Sequence, residues 1–147
     1  MSDCWAVYQT TSGSTSLSVT FIDSAGASDI PNMDLFLSEW SCSTSCSPSL
    51  DTQAALVYPG NGAAAGCTSC DGPSLTLTGI NDVVMQDFVF EEDCNTGCAV
   101  TNYILQSLDT SSQNATAYGE NLTSAPIAVW PQTPKGGGIS MAFAIAY

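Results

Sequence analysis

A chain of 147 residues with one Lys or Arg, no His and 14 Asp or Glu carries a formal charge of −13. That balance excludes nucleic acid and anionic lipid surfaces as partners, because binding them depends on cations that replace counterions. The length fits one domain, 1–147, with a core of ordinary size, and 44% hydrophobic residues exclude an intrinsically disordered chain.

Apolar residues recur with period two, the mark of half-buried strands. In chain order the expected strands are Trp5–Thr10, then Leu17, Val19 and Phe21 alternating with Ser18 and Thr20, then Asp34–Trp40 and Ala54–Tyr58. Leu75 and Leu77 alternate with Ser74, Thr76 and Thr78, and Val83–Glu91, Ala99–Leu108, Ala115–Tyr118 and Pro126–Trp130 follow. Thr101–Leu108 is also readable as a short helix capped by Thr101. Turn-forming clusters separate these runs, among them Thr11-Ser12-Gly13-Ser14, Pro59-Gly60-Asn61-Gly62, Cys70-Asp71-Gly72-Pro73 and Pro134-Lys135-Gly136-Gly137-Gly138. The expectation is an all-β fold, an antiparallel β-sandwich or jelly roll with many short strands and disulfide-linked loops.

The last expected strand, 139–147, is the most regular. Ile139, Met141, Phe143, Ile145 and Tyr147 point one way and Ser140, Ala142, Ala144 and Ala146 the other. A large face fills a core while a small face lies close beneath another layer. The plain reading is a terminal core strand. The sharper one is an assembly strand that completes a neighbouring subunit, with Gly136-Gly137-Gly138 as the hinge. Outer-membrane barrels end in similar alternation, but the remaining runs are too short and polar for one. No membrane-spanning helix is expected either, since no stretch of about 18 apolar residues occurs. Met1-Ser2-Asp3-Cys4-Trp5 has neither the basic start nor the apolar stretch of a signal peptide.

Seven cysteines fall as Cys4 and the local pairs Cys42/Cys46, Cys67/Cys70 and Cys94/Cys98. Disulfides among the six paired residues suit an extracellular protein, with connectivity open. Zinc is the competing reading, with Cys67, Cys70, Cys94 and Cys98 as four thiolates. It would add charge to a chain short of cations. A redox Cys-x-x-Cys site is disfavoured, because Cys67 and Cys70 stand in a Gly/Ser/Asp loop and not at the start of a helix.

The lack of His removes Ser-His-Asp, Cys-His and His-Glu-x-x-His chemistry. No Gly-x-x-x-x-Gly-Lys loop or arginine clamp serves phosphoryl transfer. Carboxylate pairs remain, since Glu91, Glu92 or Asp93 with a partner such as Asp87 could in principle cleave a glycoside, though an acidic run is commonly just a solvated loop. Asp23, Asp29 and Asp34 lie in an oxygen-rich stretch, but no Ca²⁺ loop motif is matched, so no metal or other cofactor is assigned. Asn114-Ala115-Thr116 and Asn121-Leu122-Thr123 are N-glycosylation tripeptides. Tyr118 and Trp130 could form a sugar-stacking platform with Glu120 or Asn121 beside it, or both rings belong to the core. Lys135 before three glycines reads as exposed, with an amide crosslink to Asn a remote alternative.

The sequence therefore points to a non-enzymatic structural or assembly protein on the surface of a virion, filament or cell, a capsid, decoration or fibre-type subunit. Its partners would be copies of itself or other subunits, in an extracellular or virion-surface setting. The alternative is a carbohydrate-binding module or lectin. Sandwiches that display loops as inhibitors or toxins form a third, unranked class.

Overall fold

The expected strands over Val83–Glu91, Ala115–Tyr118 and 139–147 become the middle of one antiparallel sheet. The computed structural model describes Trp40 and residues 47–59, 67–90, 100–109 and 114–146, the side chains at 132–135 excepted. These residues contain β1 (Ser49–Tyr58), β2 (Cys67–Asp71), β3 (Asp82–Phe90), β4 (Ile104–Asp109), β5 (Asn114–Leu122), β6 (Val129–Gly136) and β7 (Gly138–Ala146), and no helix. Five strands form a sheet in the order β1-β7-β3-β5-β4, and β2 pairs with β6 in a separate two-stranded ribbon. Every pairing is antiparallel.

β3 reads as an almost continuous apolar run, and its central place accounts for that: Val83, Val84, Met85, Phe88 and Phe90 are all buried. On one face its large residues meet small ones on both sides. Val84, Gln86, Phe88 and Phe90 align with Ala144, Ala142, Ser140 and Gly138 of β7. Val84, Gln86 and Phe88 align with Gly119, Ala117 and Ala115 of β5. The small flanks leave room for a second layer, and the ribbon enters it. Trp130 is fully buried, with its ring 6.0 Å from Phe88 and 6.2 Å from Phe90. Cys70, Leu75, Val100, Tyr103 and Ala128 join the same core. Each large buried side chain contributes about 1.5–3 kcal/mol.

Three local expectations are corrected. Thr101–Leu108 is not helical: Thr101 makes an isolated bridge to Val129, and Ile104–Asp109 pairs with β5 as a strand. Leu75 and Leu77 lie in the non-strand connection 72–78, although Leu75 is in the core. There the alternation reflects packing without a ladder. The expected turn at Cys70–Pro73 instead begins with the end of β2, and Gly137 alone separates β6 from β7.

The two faces of β7 are also used differently from the expectation that its large side chains fill the core. Ser140, Ala142 and Ala144 are the buried set, whereas Ile139, Met141, Phe143 and Ile145 are half-buried on the other face. The layer above the first face carries the bulk itself, so β7 supplies the small surface beneath it. The expected strands Trp5–Thr10, 17–21 and 34–39 lie outside the described residues.

Candidate functional site

At one end of the five-stranded sheet, two aspartates come together from distant segments. Asp51 is the extra residue of a β-bulge in β1, where the register with β7 shifts between Leu50 and Thr52. Bulges re-aim side chains and are common next to functional sites. Thr78 fixes its carboxylate, donating its backbone N–H to Oδ2 at 2.7 Å and its hydroxyl to Oδ1. Asp82 opens β3, and the register with β5 shifts between Asp82 and Val84. Leu50 and Val83, each next to one of the acids, both align with Ile145 of β7. The acids thus flank the end of one shared strand.

Their environments differ. Asp82 is 0% exposed, and neither of its carboxylate oxygens has a hydrogen-bond partner. The Gly79 amide and the Asp51 carboxylate are polar neighbours close enough to perturb it, without bonds of ordinary geometry. Burial pushes the Asp82 carboxyl above the usual aspartate value, and the adjacent Asp51 charge pushes the same way. Asp51 is held below that value, first by the Thr78 hydroxyl and then by the Thr78 amide. Gly79 creates the space: a Cβ there would fall 1.8 Å from Asp82 Oδ1. Sequence reading singled out neither acid, because neither stands in a motif and only the folded sheet brings them together.

The residues named from sequence fall as follows. Cys67 and Cys70 form a disulfide within β2, with Cα atoms 5.3 Å apart. A zinc site using both as thiolates is thereby overturned, since bridged sulfurs do not supply thiolates. Cys42, Cys46, Cys94 and Cys98 lie outside the described residues, as do Cys4, Asp23, Asp29, Asp34, Glu91, Glu92, Asp93 and Tyr147. Asp87 is half-buried on β3. Asn114 opens β5 half-buried, and Asn121 near its end is exposed with φ 54°.

Tyr118 and Trp130 do not form one platform. Tyr118 aligns with Met85, away from the core face, and meets the Trp40 ring edge-on at 4.8 Å. Trp130 packs in the interior against Phe88 and Phe90. The core reading of Trp130 holds, because a fully buried indole has no face left for a sugar. Ile139, Met141, Phe143 and Ile145 share one face of β7, which sits inside its sheet between β1 and β3.

The outer edge of β1 is a second notable surface. No described strand pairs with it, and it exposes Val57 at 71%, Leu50 at 54% and Leu56 at 40%. The chain matches no protein-family model, no curated protein and no solved structure.

Proposed function

We propose that this chain is a non-enzymatic structural subunit that associates through its sheet edge with copies of itself or with other subunits, on the surface of a virion, filament or cell. The carrying observation is β1. A sheet edge presents unpaired N–H and C=O groups that template pairing with another chain, and monomeric proteins blunt such edges with Lys, Pro or short strands. β1 is ten residues long, contains no Pro and no Lys, and exposes three large aliphatic side chains. Asp51 is its single charge and the site of its bulge, both at one end, which leaves Thr52–Tyr58 as a regular edge without these devices.

Within this reading, the ribbon and the five-stranded sheet are layers of a β-sandwich of jelly-roll type. The shared core of Trp130, Cys70, Phe88 and Val84 supports it. The Cys67–Cys70 disulfide supports an oxidising, extracellular setting. β7 already pairs on both sides within its own sheet, so edge addition at β1 needs less rearrangement than exchange of β7.

The test is light scattering coupled to size exclusion across a concentration series, on the wild type and Val57→Lys. The expected result is concentration-dependent association of the wild type that Val57→Lys abolishes with little change in thermal stability. A wild-type chain that stays monomeric at high concentration overturns the proposal.

A further inference from the structure

Asp82 poses an electrostatic problem that the described residues leave open. An ionised carboxylate taken out of water is strongly destabilising unless it is paired or hydrogen-bonded. Asp82 is fully buried with both oxygens unpartnered, and its charged neighbour is a second carboxylate, Asp51. No protein cation is at hand among the described side chains. The chain has one Lys or Arg and no His, and the side chain of that residue, Lys135, is not among those described.

The surroundings are those of a hard-cation site. Asp51 is half-exposed, so an ion can enter from its side, and Thr78 orients its carboxylate through two hydrogen bonds. Asp82 closes the inner side, and Gly79 leaves room for its carboxylate. All the candidate donors are oxygens, the ligand type that calcium and magnesium select. The bulge at Asp51 and the bend over Gly79–Asn81 give irregular backbone, which suits the looser geometry of Ca²⁺ better than the strict octahedron of Mg²⁺.

We propose that Asp51 and Asp82 are the carboxylate ligands of a Ca²⁺ site at this end of the sheet, with Asp82 as the buried ligand and water completing the shell. The site is independent of the assembly edge. Its test reads calcium binding by the folded chain, not oligomeric state.

The chain is stripped with EDTA, dialysed, and titrated with CaCl₂ or MgCl₂ by calorimetry and thermal unfolding. The wild type is expected to gain Tm saturably with Ca²⁺ and less with Mg²⁺. Asp82→Asn, which removes the buried charge with little change in shape, is expected to raise Tm in EDTA. It should also weaken calcium binding by more than the roughly 10–100-fold that loss of an outer-shell partner costs. Asp51→Asn, at a half-exposed position, gives the same loss of binding if Asp82→Asn fails to fold. The exposed control Glu120→Gln retains the calcium response. Two results overturn the proposal: no calcium response in the wild type, or a response that survives in both Asp variants. In the first case, a Tm in EDTA that rises on mild acidification shows that the two acids share a proton instead.

Discussion

Gly138 lies so close to Phe88 that a Cβ added to it would sit 2.4 Å from ring carbon Cε1, and 2.7 Å from the Val89 carbonyl oxygen. The glycine opens β7 one residue after the connection from β6, and the same ring packs against Phe90 and Trp130. Backbone on one side and a packed aromatic on the other leave little room to yield. Gly138→Ala is expected to lower unfolding stability by about 2 kcal/mol through overpacking. A denaturant midpoint equal to the wild type would refute this.

Trp130 should matter through its volume and not through its N–H. The ring is fully buried, and Nε1 has no hydrogen-bond partner. Trp130→Ala is expected to cost about 3–5 kcal/mol by leaving a cavity between ribbon and sheet. Trp130→Phe should recover at least about half of that, since it keeps an aromatic ring and removes an unsatisfied donor. Urea unfolding of the two variants checks the order; equal losses would refute the account by volume, since both variants remove the N–H and only one removes the ring.

Tyr103 sets an alkaline limit. Its hydroxyl donates to the Pro126 carbonyl at 2.8 Å, and burial pushes its ionisation above the ordinary phenol value of 10.0, with Gln86 opposing the shift. A raised folded-state value favours the neutral phenol, so this contribution is fully present below the unfolded tyrosine value and is lost as pH rises through the folded one. Tyr58, which donates to the Asp71 carbonyl at 2.8 Å, is shifted upward as well, mainly by burial and then by the Asp71 charge. Stability measured from pH 9 to about 12 should therefore fall, and the fall should be shallower in Tyr103→Phe. An identical slope in the variant would remove Tyr103 from the account.

The Cys67–Cys70 bridge closes a loop with a sequence separation of only 3. Loop-closure entropy grows with loop length, so a bridge this short contributes about 2 kcal/mol by the chain-entropy account. Cys67→Ala with Cys70→Ala is expected to leave the chain folded with a modestly lower Tm. Circular dichroism during heating would detect the contrary outcome, complete unfolding at room temperature.

Apolar patterning was sufficient to locate β3, β5 and β7, because alternation in a strand follows from side chains that point to opposite faces. The run 139–147 carries it fully and Ala115–Tyr118 in brief, while Val83–Glu91 was legible instead as a short, nearly continuous apolar run of strand length, the pattern of a central strand buried on both faces. Alternation does not say which face another layer will cover. The small residues of β7 became its buried face because Phe88 and Trp130 fill the space above them, a choice made by residues remote in the chain. Ser49–Gln53 hold Leu50 as their one apolar residue and show no alternation, yet they extend β1 because β7 offers partners to all of them but Asp51.

The acidic site was hidden for the same reason. Thr78 reaches Asp51 across 27 residues, and two register shifts set Asp51 and Asp82 at one end of the sheet. Composition alone determined that such acids would find almost no basic side chain to pair with, since 14 Asp or Glu face one Lys or Arg. Which of them would be buried was decided by tertiary structure, because burial depends on how strands register and on what packs over them, and neither is local to the sequence.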